Sequence, residues 1–131
     1  SHYLSVSGEH LSVSNMNKAI KATSEKLGIQ IQEYTVYATK NGKNGHHWYL
    51  GSDKILSDNI VSKVLDEELM QINDDYAAVR KYTLKAPTVN IIPNDFFLRY
   101  LAEKGKVGGQ NKFPRVLKGT QLEEWKLFLQ R

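Results

Sequence analysis

The feature that most constrains this chain is the run Asn41-Gly42-Lys43-Asn44-Gly45, set between two stretches of strand-like alternation. Asn and Gly tolerate positive φ, so a run of this kind turns a chain back on itself. Residues 29–38 precede it, with Tyr34, Val36 and Ala38 on one face, and residues 46–51 follow it. The pattern predicts an antiparallel hairpin. Helical periods flank that hairpin on both sides. Before it, Met16, Ala19, Ile20, Thr23 and Leu27 recur at helical spacing, with Ser14 placed to cap the start and Gly28 the end. After it, Val61, Val64, Leu65, Leu69, Ile72 and Tyr76 form the apolar stripe of a helix that begins near Ser57 or Asp58. That helix is expected to break near Asn73-Asp74-Asp75, and a short helical turn follows through Arg80.

The ends of the chain fit around this centre. Residues 3–7 alternate like a strand, and Gly8 turns the chain. A strand with no polar lead-in reads as an internal cut from a longer protein. Residues 87–92, bounded by Pro87 and Pro93, read as a fourth strand. Asn94 caps a helix carrying Phe97, Tyr100 and Leu101, which stops at Gly105. Residues 105–119 have no period. Thr120-Gln121-Leu122-Glu123 has the form of a capping box, opening a last helix with Leu122, Trp125 and Leu129 inward. The order predicts an α+β fold: a four-stranded, mostly antiparallel sheet with helices packed mainly on one face, split βαβ-like, as a single domain over residues 1–131.

Composition excludes several classes. The chain has 131 residues, 40% hydrophobic and 24% charged, enough apolar surface for one core. With no cysteine, it forms no disulfide, no thiolate metal site and no cysteine nucleophile. No apolar run approaches the ~20 residues that cross a bilayer, and residues 1–7 resemble no targeting segment. A cytoplasmic setting with no membrane partner is expected. The net charge is +4, and Lys104, Lys106, Lys112, Arg115 and Lys118 concentrate positive charge in one glycine-containing stretch.

Few side chains fall in patterns that carry chemistry. His46 and His47 are adjacent on a predicted strand and therefore point to opposite faces, so one ion cannot use both. His2 and His10 lack partners at ligand spacing, and no metal site is expected. Asp66-Glu67-Glu68 reads as a solvated helix face, and Asp75 as a cap for the turn that follows. No phosphate-loop or dinucleotide fingerprint is present. The stretch that remains is Gly105-Lys106-Val107-Gly108-Gly109-Gln110-Asn111-Lys112-Phe113-Pro114-Arg115. Glycines admit an anion close to the backbone, Lys112 offers a mobile positive charge, and Pro114 stiffens the exit. Arg115 is placed to anchor the loop to a carboxylate.

Gly108-Gly109-Gln110-Asn111-Lys112-Phe113-Pro114-Arg115 resembles the G-x-x-Q-x-K-x-P-R signature of the Gretchen Hagen family, the auxin-responsive acyl-acid amido synthetases of plants and their bacterial relatives, matching Q-x-K-x-P-R position by position with its glycines shifted by one. Leu65-Asp66-Glu67-Glu68-Leu69 and the segment from Ile72 through Tyr76 to Arg80 are similar to its L-D-x-x-L and N-x-D-Y-x-x-x-R blocks. Val89-Asn90-Ile91-Ile92-Pro93, Phe97-Leu98-Arg99-Tyr100-Leu101 and Ser5-Val6-Ser7-Gly8-Glu9 match in the expected order. The resemblance implies the small C-terminal lid domain of an ATP-dependent ligase. Such an enzyme adenylates a carboxylic acid, using ATP with Mg, and passes the acyl group to an amino acid amine. The partner would be the protein's own N-terminal domain, with small carboxylic acids and amino acids as substrates. Lys112 would be the catalytic residue. Gly108, Gly109 and Pro114 would shape its loop, Gln110 and Arg115 would orient it, and Gly8, Glu9 and His10 would lie near the hinge and the nucleotide.

Three departures qualify the match. His10 stands where plant members carry Lys, and Asn111 where a His or aromatic residue is more usual. The family's aromatic-Arg-x-Gly-Asp element and Ser/Thr-rich phosphate loop, which belong to the N-terminal domain, are absent. The resemblance therefore implies that this chain alone is inactive and binds no ATP. Two other readings compete with it. The strand and helix order with a basic charge suits an RNA-recognition module, but no strand carries the K/R-G-F/Y pattern of that module, and no nucleic acid partner is expected. A non-catalytic interaction domain is the third.

Overall fold

Strand β4 (Lys43–Gly51) runs through the centre of the molecule. It pairs antiparallel with β3 (Glu33–Asn41) on one side and parallel with β5 (Thr88–Ile92) on the other. The computed structural model describes residues 3–6, 9–41, 43–105 and 112–131. Two further strands, β1 (Tyr3–Val6) and β2 (Glu9–Ser12), form a separate antiparallel pair. The helices are α1 (Val13–Leu27), α2 (Asp58–Ile72), α3 (Asp74–Arg80), α4 (Asp95–Glu103) and α5 (Gly119–Leu129). The expected α+β class and split βαβ-like order hold. Among the described residues the strands number five, in two sheets, where four in one sheet were expected. Strand β5 is parallel because α2 and α3 carry the chain back across the sheet before it.

The register shows why β4 is central. Tyr34 faces Leu50, Val36 faces Trp48, and Trp48 in turn faces Val89. These side chains are buried with Leu4 of β1 and Leu11 of β2, Met16 and Ile20 of α1, Val61, Leu65 and Leu69 of α2, and Tyr76 of α3. The alternate residue Tyr49 joins Phe97, Tyr100, Phe113, Leu117, Trp125 and Phe128 in a second core against α4 and α5. Three helices thus cover one face, and a smaller layer covers the other. Burial on both sides accounts for the aromatic and aliphatic density of β4.

Local chemistry explains where boundaries differ from expectation. Helix α1 is capped by Ser12, not Ser14. The Asn15 amide donates to Ser12 Oγ at 3.0 Å and the Ser12 amide to Asn15 Oδ1 at 3.3 Å, a reciprocal box that leaves Ser14 inside the helix. Gly28 takes the left-handed conformation at the end of α1 (φ 66°), as expected. Strand pairing continues to Asn41 and resumes at Lys43, so most of the Asn-Gly run belongs to the ladder. Gly45 serves close approach there, since a Cβ would lie 2.7 Å from Thr39 Oγ1 on the partner strand. Strand β3 begins at Glu33, four residues after the predicted start at 29. At the far end α5 starts at Gly119 with Thr120 inside it and no side-chain cap, so the capping box at 120–123 does not form.

The break between α2 and α3 is capped by Asn73, whose Oδ1 accepts the Tyr76 amide at 2.9 Å; Asp75 does not cap it. Asp66 also departs from expectation. It is buried, not solvated, because its side chain turns inward from α2. The Tyr76 hydroxyl donates to Asp66 Oδ1 at 2.7 Å, and Arg80 donates to both carboxylate oxygens at 2.8 to 3.1 Å. His46 Nε2 lies 3.2 Å from the Tyr76 oxygen, and Trp48 Nε1 donates to His46 Nδ1 at 2.8 Å. Because Nδ1 accepts and the tyrosine proton is committed to Asp66, the proton of His46 sits on Nε2. His46 and His47 do point to opposite faces. His47 is half-buried, with Nδ1 2.5 Å from Thr88 Oγ1 and Nε2 2.9 Å from Asn90 Oδ1.

Burial pushes the His46 pKa down to about 3, against opposition from the Asp66 charge. An unfolded chain titrates this group near ~6.5. Between those values the unfolded state binds the proton and the folded state does not, so stability rises with pH across this window. On acidification from about 6.5 toward 3 it is lost, at up to ~1.4 kcal/mol per pH unit. His46→Gln should remove that component of the slope in urea titrations run at pH 4, 5, 6 and 7. An unchanged slope would contradict a neutral His46.

Candidate functional site

The lysine segment is built onto the free edge of β3. Val116 forms a parallel bridge with Val36. The Val36 amide donates to the Arg115 carbonyl and the Leu117 amide to the Val36 carbonyl, both at 2.9 Å. Because the segment runs parallel to β3, Lys112 lies toward the end of the sheet where β3 begins and β4 and β5 finish. Phe113 fixes this approach. It is 2% exposed, with ring centroids of Phe97 and Trp125 each 4.9 Å away and Tyr100 at 5.6 Å. Edge-to-face packing of this kind holds an aromatic ring in one orientation.

The residues after Phe113 are held individually. The Pro114 carbonyl accepts the Thr35 hydroxyl at 2.8 Å. The carboxylate that meets Arg115 is Glu33, which accepts from Nη1. Nη1 also donates to the Tyr34 carbonyl at 2.9 Å, and the guanidinium carbon lies 4.3 Å from the centroid of the Tyr34 ring. The Tyr34 hydroxyl in turn donates to Asn17 Oδ1 at 2.5 Å. Burial raises the Tyr34 pKa, so it stays a neutral donor. Val116 enters the core beneath α1 and α2, while Phe113 and Leu117 enter the core beneath α4 and α5.

Lys112 itself is exposed, and no described residue pairs with its ammonium. Two other cations of the basic stretch are committed elsewhere: Lys104 contacts Glu124 at 2.7 Å, and Arg115 is bound to Glu33. The arrangement places the exposed ammonium of Lys112 next to a fixed root. Chemically that suits contact with an anion brought from outside the domain.

Gly8, Gly108, Gly109 and Gln110 lie outside the described residues. Glu9 and His10 belong to β2, opposite Val6 and Ser5 respectively. Asp66, Asn73, Tyr76 and Arg80, which carry the matching block of α2 and α3, are joined in the buried network and its cap. They hold the helices to the sheet, remote in role from the lysine segment. A cavity of about 540 Å³ opens at the ends of β4 and β5, lined by Ser52, Ile55, Leu56, Ile91 and Ile92 among others. Lys112 does not line it. Among the described residues no group of three His, Cys, Asp or Glu is placed to hold a metal ion, and no helix is long and apolar enough to cross a membrane. Glu33 and Thr35 were not singled out from the sequence. They lie 82 and 79 residues from the groups they bind, and only the fold brings them together.

Residues 14–121 match the model of the GH3 family C-terminal domain. That span contains the lysine segment, the buried network and the three-stranded sheet. No curated protein matches the chain. Among solved structures, a "GH3.15 acyl acid amido synthetase" is similar over 99% of this chain and 26% of its own, with a TM-score of 0.76 and 15% identity. At that identity the likeness shows the fold. The chain spans about a quarter of the length of that synthetase.

The two adjacent residues should separate in stability measurements. Phe113→Ala should destabilise by about 3–5 kcal/mol, through lost burial and a cavity within the aromatic core. Lys112→Ala should stay within about 0.5 kcal/mol of the parent, as exposed side chains do. Urea denaturation of both variants checks this, and equal losses would contradict the placement of the two side chains.

Proposed function

The chain belongs to the GH3 family of C-terminal domains, and from that premise we propose that it is the lid domain of an ATP-dependent acyl-acid amido synthetase, working against an N-terminal domain of the same protein. The observation that supports this most is the root of Lys112. An exposed ammonium, with no partner among the described residues, stands beside a buried phenylalanine and a clamped Pro-Arg pair. Such a group fits a phosphate or carboxylate supplied by a second domain.

In the proposed reaction a carboxylate oxygen of the acid attacks the α-phosphorus of ATP, and the bond to pyrophosphate breaks. The amine of an amino acid then attacks the acyl carbon, and AMP leaves with the electron pair of the broken C–O bond. ATP, as its Mg complex, supplies the activating adenylyl group. Lys112 would hold negative charge as it shifts among the oxygens in the first step, a contribution that is strongest when the closed site excludes water. Pro114 and Arg115 would keep the exit of the loop fixed. Gly108, Gly109 and Gln110 are proposed to shape and orient its start. Gly8, Glu9 and His10 are proposed to lie on the hinge side, near the nucleotide.

The test is acid-dependent pyrophosphate release by the full-length protein, with ATP, a panel of carboxylic acids and mixed amino acids. Lys112→Ala should lower the adenylation rate by about 10²–10³-fold, the scale of losing one charge-stabilising donor. Its melting transition should be unchanged. A mutant that keeps the full rate would remove Lys112 from the reaction.

A further inference from the structure

We propose that Glu33 and Thr35, two residues of β3 outside the lysine segment, are positioning residues for Lys112. This inference rests on the ligase reading given above. Its physical basis is the sequence of restraints that follows Lys112 along the chain. Phe113 is locked by rings, the Pro114 carbonyl by the Thr35 hydroxyl, the Arg115 guanidinium by Glu33, and Arg115 and Leu117 by the Val36 backbone. Lys112 is the exposed residue immediately before that series.

Each of the two side chains does something the backbone ladder cannot. Proline has no N–H, so residue 114 can be registered on β3 only through its carbonyl. The hydroxyl that reaches it comes from Thr35, which is fully buried and also lies 3.4 Å from the Arg115 carbonyl. A lysine stem has four rotatable carbons, so where its ammonium can reach is set by where its Cα is held. Glu33 acts on charge as well as position. It also accepts the Tyr34 amide at 3.2 Å, which steadies its carboxylate at the strand start. With Glu33 neutral, the Arg115 guanidinium keeps its Tyr34 contacts but loses its counter-charge, and three residues from Lys112 it competes for the same incoming anion. Displacements of about 1 Å at a reacting group can lower rates by as much as ~10²-fold, so a loosened root should be visible kinetically.

The experiment uses the full-length protein with Thr35→Val, Thr35→Ser and Glu33→Gln, each alone and combined with Lys112→Ala. Thr35→Val and Glu33→Gln should lower the adenylation kcat by about 5- to 50-fold with the KM for ATP within about twofold, while Thr35→Ser retains the parent rate. In the Lys112→Ala background neither substitution should lower the rate further, because both act through the lysine. Hydrogen exchange should quicken across residues 112–117 in Thr35→Val and stay unchanged across α2. Equal losses with and without Lys112 would show general destabilisation and overturn the inference. So would parent-level rates for Thr35→Val and Glu33→Gln beside an inactive Lys112→Ala, an outcome that leaves the ligase reading standing. A fully active Lys112→Ala would instead overturn the ligase reading, and this inference with it.

Discussion

One buried carboxylate organises the larger half of this domain. Asp66 sits inside the protein, where an isolated charge is strongly disfavoured. It is tolerated because Arg80 supplies the counter-charge through three hydrogen bonds and Tyr76 adds a fourth. Satisfying Asp66 therefore dictates where α3 lies relative to α2. The same tyrosine oxygen meets His46 on β4, and His46 meets Trp48, so the demand reaches the central strand. Arg80 continues it to the Leu84 carbonyl, in the approach to β5. Two helices and two strands are thus oriented by polar geometry, while apolar packing supplies most of the driving force.

The second half is organised differently. Between α4, α5 and the sheet the packing is aromatic, with Trp125 in contact with Tyr49, Phe97, Tyr100, Phe113 and Phe128. Charged residues lie at its rim, where Lys104 reaches Glu124 and Arg131 reaches Glu103. Ring-on-ring contacts are directional but need no partner protons, so this layer receives Phe113 without a polar network. The lysine segment depends on both regimes: the aromatic layer holds Phe113 and Leu117, and polar contacts hold Pro114 and Arg115.

Much of this was legible in the chain. The hairpin, the amphipathic faces of α1 and α2, the break at Asn73 and the opposite orientations of His46 and His47 follow from local periods and turn chemistry. The signature around Lys112 pointed to the segment that the fold sets on the edge of β3. Other features were not legible because nothing local encodes them. Asp66 looks like its neighbours Glu67 and Glu68 until Arg80 and Tyr76 arrive from the next helix. The choice of Ser12 over Ser14 depends on Asn15 answering back, a preference of one hydrogen bond. Strand β2 is four residues long and reveals itself only through the direct pairing of Leu11 with Leu4. Glu33 and Thr35 acquire partners about eighty residues away, beyond the reach of any spacing rule.

Phe113 and Leu117 belong to one core and Val116 to the other, so a short piece of chain is riveted through both layers of the molecule. That construction transfers motion from loop to body. A lysine rooted in a hinged flap arrives when the flap swings, and its arrival can be tuned by a few backbone torsions. In the proposed ligase Lys112 would instead stand like the tip of a spoke, its root travelling only as far as the whole domain turned. On that reading the timing of its charge would be a property of rotational diffusion and of whatever surface stops the rotation, and substitutions far from Lys112 would shift that timing without altering a single contact around it.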